Sequence, residues 1–585
     1  MGDVLLVAMP WNRADYPSIQ VGLLKGHLVR QGVAVRAAYP YLELESRLGS
    51  DLYLRLADKL HPVLGESLFA SLLDPALVPL GDRYLLESEE LTAATLATVR
   101  TTIGDFMRDL AASSCWVGAD LVGFTCSFNQ VYASLLAARE LKRRFPAIRI
   151  VFGGAAMHGS TGRSYFNAYD FVDYVVSGPG EKVLAGLAND LPPHRMFIDA
   201  LSSTRPSGSP DYDEFFSHSR RTPRPAVVLS ASSGCNFGAC AFCAQNDRSQ
   251  YSPRSADAVL QDVAATTARY RAERVEFSDT CFPMEFFRCG WPEKMSKLGA
   301  QCFAQVRAFT SRSQAAAMRR AGFHQVQVGI ESFHSRTLAR MNKPAGVLAN
   351  VQCLRVAYAN DIEVGYNLIL DFPGTDVCTL EELGALLPSL FHLQPPTALV
   401  PFALHYGSAV YRLPSRYGVT GIHPHRFYDA VSPAFSSGSL VPLFHDFDRD
   451  GPPRQYLERI DELCRTWLSV YDCSRPALAW SRSGNSILIY DRRGGSPAFS
   501  FTMPEPAACA FEMLDRPCTP SDLEHRVGNE ARLAEGLAWL RERRLIIEDD
   551  QHVLALPIED GIRRLRPPDD LDSYFTPADF GEKQC

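Results

Sequence analysis

The 585-residue sequence has no apolar run near the roughly 20 residues that a membrane-spanning helix requires. No membrane association is expected. Basic residues are not in excess, since 59 Lys and Arg stand against 66 Asp and Glu for a net charge of -7. A general nucleic-acid surface needs the opposite balance, so no nucleic-acid partner is expected either. The opening residues lack a secretory signal pattern, and Leu6 stands where myristoylation would need Ser or Thr. The 15 cysteines are odd in number and thinly spread. They suggest no disulfide scaffold, and the expected compartment is a reducing cytoplasm. No G-x-G-x-x-G fingerprint follows the first apolar strand, where Met9-Pro10-Trp11 is found instead, which argues against NAD or FAD.

What is present centres on Cys235, Cys240 and Cys243, spaced C-x4-C-x2-C with the aromatic Phe242 before the last cysteine. Three thiolates leave one iron of a four-iron cubane open to another ligand. Structural zinc is the competing reading. It usually pairs two Cys-x2-Cys units or adds histidines, and no second pair follows nearby. The preceding run Pro225-Ala-Val-Val-Leu-Ser230 is short, apolar and rich in β-branched residues, so it reads as a buried strand. The cysteines then fall on a loop at the carboxyl end of a strand, where parallel α/β barrels carry their chemistry.

The length predicts about three to four domains in an α/β chain. Residues 1–190 read as a doubly wound, Rossmann-like domain, with strands at Val4–Ala8, Val33–Ala38, Leu121–Phe124, Ile148–Phe152 and Val172–Val176 and a helix-rich insertion at about 43–113. Such sheets bind ligands beyond the carboxyl ends of their strands. Here those ends carry Trp11, Thr125, Ser127, Gly153, Gly154, Gly178 and Glu181, and glycines at successive ends suit the close approach of a large, nucleotide-like ligand. Residues 191–222, rich in turn formers, read as a linker.

Residues 223–425 read as a partial (β/α)6 barrel, whose strand ends carry Asp279, Gln305, Arg307, Glu331, Ser332, Asn367, Asp371, His405 and Tyr406. Residues 426–474 read as a helical connection, 475–560 as a winged-helix-like α+β module and 561–585 as a charged, Pro-rich, disordered tail.

Eight strings in order carry a family resemblance. They are Val7–Trp11 with Pro17–Lys25, Leu64–Phe69, Phe152–Gly154, Ser177–Glu181, the cysteine loop, Gly329–Ser332, Asn367–Gly374 and Phe391–Pro396. Together they resemble cobalamin-binding radical S-adenosylmethionine (SAM) enzymes, in particular the C-methyltransferase group that matures ribosomally made peptides. The resemblance implies that Cys235, Cys240 and Cys243 hold a [4Fe–4S] cluster whose fourth iron is chelated by SAM. It places Gln305, Arg307, Glu331, Ser332 and Asn367 toward SAM. Trp11, Thr125, Ser127, Gly153, Gly154, Gly178 and Glu181 would receive cobalamin, as methylcobalamin. No histidine stands in a D-x-H-x-x-G context, so cobalt would lack a protein histidine below it.

By the same resemblance, a radical formed from SAM takes hydrogen from an unactivated carbon, and methylcobalamin supplies the methyl group. An external one-electron reductant is then required. His405 and Tyr406 are the candidates for catalysis, with substrate positioning or ordinary rim residues as the alternatives. The substrate is a peptide precursor, recognised through the winged-helix-like module, or a small free metabolite such as an amino acid. A cobalamin-assisted oxidation or cyclisation, or a non-enzymatic cobalamin sensor, stays open.

Overall fold

A computed structural model describes residues 3–88, 90–200, 208–218, 225–244, 251–449, 451–471, 477–494, 498–527, 529–549 and 552–559. The first unit is a six-stranded parallel sheet of β1 (Val4–Ala8), β2 (Val35–Ala38), β3 (Leu121–Thr125), β4 (Arg149–Gly153), β5 (Tyr174–Ser177) and β6 (Met196–Asp199), in the order β2-β1-β3-β4-β5-β6. Every residue of β1 and β3 is buried, as in a sheet covered on both faces. Helix Ile19–Arg30, capped by the Ser18 hydroxyl accepting from the Val21 N–H at 3.5 Å, covers one face. The insertion contributes the helices Pro40–Leu48, Pro62–Leu73, Val78–Glu87 and Ala93–Ala112.

The stretch 191–222 is not a simple linker. It supplies β6, which pairs in parallel with β5, and the helix Asp213–His218. The fully buried Tyr212 donates its hydroxyl to the Val228 carbonyl at 2.6 Å, and Lys25 bridges to Asp211 at 2.6 Å and to Glu214. The segment therefore ties the first unit to the second. Its strand, Met-Phe-Ile-Asp, is half-buried and too short to stand out among the turn formers around it.

The barrel begins with β7 (Ala226–Leu229). The two-residue strands β8 (Ser232–Ser233) and β9 (Ser252–Pro253) pair antiparallel just beyond it. Then come β10 (Arg274–Phe277), β11 (Gln301–Val306), β12 (Gln325–Val328), β13 (Glu363–Gly365), β14 (Asn367–Ile369) and β15 (Ala398–Val400). Five of these form the parallel sheet β13-β12-β11-β10-β7, and β14 pairs with β15. Between β13 and β14 the strand is broken at Tyr366, which is buried and donates its hydroxyl to the Gln394 carbonyl at 2.9 Å. That break lets the chain leave β12 and join β15, while Leu368 still bridges to Glu331. Helices Ala256–Tyr270, Arg312–Arg320, Val347–Ala359 and Val377–Leu386 cover the outside.

Residues 426–474 depart further from expectation. A small antiparallel sheet of β16 (Leu404–His405), β17 (Thr420–Pro424) and β18 (Phe444–Asp448), in the order β16-β18-β17, spans the start of this region, and its one long helix is Arg454–Val470. Tyr428, Phe435, Leu440 and Leu443 pack into the core of the first unit, and the rings of His61 and His425 stack at 4.5 Å. The connection is thus a strap across the N-terminal unit. Its strand, Phe-His-Asp-Phe-Asp, lacks the β-branched residues that mark strands.

The C-terminal module comprises β19 (Leu478–Ser483), β20 (Ser486–Asp491), β21 (Phe499–Thr502), the helices Glu505–Met513, Pro520–Val527 and Glu530–Glu542, then β22 (Ile546–Asp549), β23 (His552–Ala555) and β24 (Ile558–Glu559). Three helices followed by the hairpin β22-β23 give the expected helices and wing, beside a sheet of order β21-β20-β19-β24. Gly495, Asp550, Gln551 and the tail from 560 lie outside the described residues. The module shares the barrel's core. Arg355, on helix Val347–Ala359, donates to the carbonyls of Asp515 (3.1 Å) and Pro557 (3.3 Å), and His392 Nε2 bonds to the Leu556 carbonyl at 2.9 Å. Among the described residues no helix is long and apolar enough to cross a membrane.

Candidate active site

The cysteine loop leaves β7 through two glycines in the left-handed region, Gly234 (φ 71°) and Gly238 (φ 62°), a conformation that side chains disfavour. It is pinned to the barrel. The Ala241 N–H donates to the Met341 carbonyl at 2.8 Å, Asn342 Nδ2 donates to the Ala239 carbonyl at 2.7 Å, and the Val410 N–H donates to the Ala241 carbonyl at 3.1 Å. Cys235, Cys240 and Cys243 are half-buried and line a cavity of about 540 Å³ together with Gln305, Arg307 and Glu331.

The electrostatics differ between the thiols. Cys235 is held down to about 5 by a hydrogen bond from Cys281, against its burial, with help from the N–H groups of Gly238 and Phe237 and the charge of Arg307. Cys240 is pushed up to about 11 by burial, against the pull of Lys343. Glu331 sits at φ 63°, and its Oε1 lies 3.2 Å from Lys343 Nζ. Lys343 also stands 5.9 Å from the centre of the Phe242 ring. Among the described residues, no three His, Cys, Asp or Glu side chains converge as ligands of one metal ion. A four-iron cluster makes a different demand, because each thiolate binds a separate iron and the three thiols need only line one cavity.

A second cavity, of about 330 Å³, opens at the carboxyl ends of β3, β4 and β5 and is closed from the barrel side. Thr125, Gly153, Gly154, Gly178 and Glu181 line it from the first unit, and Ser230, Ser232, Ser233, Gly234, Ser278, Asp279 and Thr280 from the barrel. Gly154 (φ 103°) is obligatory, since a Cβ there would lie 2.7 Å from the Cys126 carbonyl oxygen. A Cβ at Gly153 would find its nearest neighbour at 3.9 Å. A wall bare of side chains fits a flat, bulky ligand such as a corrin.

The two cavities are neighbours because β7 and β10 pair in register, Leu229 opposite Phe277, which sets their outgoing loops side by side. The buried Asp279 carboxylate fastens those loops by accepting from the N–H groups of Ala231 (3.0 Å) and Ser232 and from the Ser232 hydroxyl (2.7 Å).

Residues 229–387 match the Radical SAM superfamily. The barrel is a radical SAM domain. Across solved structures the chain shares its fold with cobalamin-dependent radical SAM enzymes. OxsB with aqua-cobalamin bound is 14% identical over 80% of this chain and 67% of that one, with a TM-score of 0.52. TsrM from Kitasatospora setae, a radical SAM methyltransferase with cobalamin and a [4Fe-4S] cluster bound, is 13% identical over 79% and 91%, with a TM-score of 0.52. An uncharacterized methyltransferase of Pyrococcus horikoshii, PH0819, is 24% identical over 294 residues, 46% of this chain; the match spans 63% of that relative's length.

Not every residue singled out in the sequence reaches a cavity. Trp11 is buried, donates Nε1 to the Gly65 carbonyl at 3.0 Å and packs between Tyr53 and Phe69. Ser127 turns into the next helix, its N–H donating to Gln130 Oε1 at 3.1 Å. In the radical SAM domain, the buried Ser332 accepts from the His334 N–H at 3.1 Å, and Asn367 opens β14 away from the lining. His405 ends β16 of the small antiparallel sheet and Tyr406 follows it in a turn; they pack on Phe444 and Tyr411 respectively and line neither cavity. Thr280 and Lys343, which do line the radical SAM domain's cavities, escaped sequence reasoning. Thr280 follows a strand end already marked by Asp279, whereas Lys343 lies beyond a helix, where no pattern marks it.

Proposed function

We propose that the chain is a cobalamin-dependent radical SAM methyltransferase acting on an unactivated carbon of a ribosomally made peptide precursor. The observation that carries this reading is the abutment of the glycine-walled and cysteine-lined cavities across the Asp279 clamp. Cys235, Cys240 and Cys243 would hold the [4Fe–4S] cluster, with Glu331, Gln305 and Arg307 around SAM. Thr125, Gly153, Gly154, Gly178 and Glu181 would hold cobalamin. When bound, the cluster supplies the electron that splits SAM and the corrin carries the methyl group. The chain's own residues orient and enclose. Lys343 fixes the Glu331 carboxylate, Asp279 keeps the loops between the cavities in place, and the apolar side chains of Leu23 and Leu24 help keep water from the glycine-walled cavity.

Methylation of R–H consumes two SAM and two electrons from an external reductant and yields R–CH3, 5′-deoxyadenosine, methionine and S-adenosylhomocysteine. Reduced enzyme with substrate should therefore form 5′-deoxyadenosine and S-adenosylhomocysteine in equal amounts. Excess 5′-deoxyadenosine would indicate an oxidation or cyclisation, and neither product would indicate a sensor. The iron content of anaerobically reconstituted protein, about four per chain on this reading, should vanish in the triple variant Cys235→Ala, Cys240→Ala, Cys243→Ala.

The peptide is favoured by β21, which among the described residues pairs only with β20 and stands at the edge of its sheet with Phe499 exposed, where an extended peptide could add as a strand. A second reading, methylation of a small free metabolite, is favoured by the shared core of module and barrel, as expected of a purely structural module.

A further inference from the structure

The partition between the two cavities is crossed by the chain at two places. Gly234 faces the glycine-walled cavity and Cys235 the cysteine-lined one; Asp279 faces the first and Cys281 the second. Thr280 lines both. Its position is fixed from either side, by the Asp279 clamp and by the Phe282 N–H donating to the Gln305 carbonyl at 2.8 Å. Cys281 is buried against Asn236, Sγ to Oδ1 3.5 Å, so the turn cannot swing toward the cysteine loop. The Thr280 side chain itself is exposed.

We infer that Thr280 is the junction at which the two cavities communicate, so that residue 280 decides which groups are reached from both. The inference rests on the corrin and SAM reading of the cavities. A carbon handled from both sides, or a methyl group moved from SAM to the corrin, must pass within reach of this side chain. The sequence marks it only as the residue after a strand-end aspartate.

Two variants test this without any substrate. In Thr280→Trp, binding of hydroxocobalamin and of SAM, each measured alone, should weaken at least three-fold, because residue 280 lines both cavities. Methyl transfer from SAM to cobalamin reduced with titanium(III) citrate should fall at least ten-fold. In that step the sulfur–methyl bond breaks with its electron pair kept on sulfur, so S-adenosylhomocysteine is the readout. In Thr280→Cys, alkylation at residue 280, followed by peptide mass spectrometry, should be slowed by hydroxocobalamin alone and by SAM alone. Unchanged S-adenosylhomocysteine in Thr280→Trp at saturating hydroxocobalamin and SAM, weakened binding of only one of them there, or protection of Thr280→Cys by only one ligand overturns the junction. A parent protein that binds both ligands yet forms no S-adenosylhomocysteine overturns the methyltransferase reading and the junction with it.

Discussion

Two adjacent glycines behave differently. Gly154 needs its positive φ, and its missing Cβ leaves room for the Cys126 backbone, so any replacement there distorts the strand end before it touches a ligand. Gly153 has ordinary φ and open space where a Cβ would point. Gly153→Phe should therefore leave the melting temperature of the ligand-free protein within a few degrees and weaken hydroxocobalamin binding at least ten-fold, measured by absorbance titration; unchanged binding would place the corrin elsewhere. Gly154→Phe should lower the melting temperature outright. Sequence reading marked both glycines alike, because spacing shows where a strand ends and not which φ each residue adopts. It likewise marked Ser332 and Trp11 correctly as strand-end residues, whereas only coordinates show that one turns back to the His334 N–H and the other packs under Tyr53 and Phe69.

Strands with continuous burial, such as Val4–Ala8, Leu121–Thr125 and Ala226–Leu229, were legible because a short apolar run bounded by turn residues fits a covered parallel strand and is too short for a helix. The strands that were missed, Met196–Asp199 and Phe444–Asp448, are partly exposed and owe their form to neighbours far away in sequence. The edge strand Phe499–Thr502 allows a test of peptide binding. The Met503 N–H donates to the Ile487 carbonyl at 2.8 Å, so by antiparallel alternation Phe501 and Phe499 point their N–H groups at β20 and Ser500 points its own outward. Ser500→Pro then removes an outward donor and leaves the ladder intact. It should raise the KM for a full-length precursor at least ten-fold and leave kcat/KM for a leaderless core peptide unchanged; an unaltered KM for the precursor favours the small-metabolite reading. Deleting the module from residue 477 onward is a poorer test. It would strip β22, β23 and β24 from helix Val347–Ala359 and leave the Arg355 guanidinium without its carbonyl partners, at a cost of about 1–3 kcal/mol for each lost bond.

Across the whole molecule, the N-terminal unit and the strap meet over histidines that burial keeps neutral. His61 is brought down to about 3 by burial, then by His425 and His405; His445 is brought down to about 4 by burial, then by His423 and His405, with Asp446 opposing. His425, also lowered, faces Asp446, Arg426, Arg449 and His423. In the unfolded chain each imidazole titrates near about 6.5. The folded values lie below that, so the unfolded state takes up protons first. Stability is then full above about pH 6.5 and falls as the pH drops toward 4, by up to about 2 kcal/mol at pH 5 for each of His61 and His445. Melting temperatures of ligand-free protein should fall steadily from pH 7 to 5, and His61→Phe should flatten that slope; a parallel slope would place the sensitive groups elsewhere. The strap has a further consequence, for biosynthesis. All six strands of the first unit leave the ribosome within 199 residues, yet Tyr428, Phe435 and Leu443 complete their core. The early sheet must wait, partly uncovered, while a stretch longer than the unit itself is translated. The glycine-walled cavity, whose far side is made by residues 230–234 and 278–280, does not exist until the barrel has emerged. A chain truncated before residue 278 therefore lacks part of the wall that would enclose a ligand there.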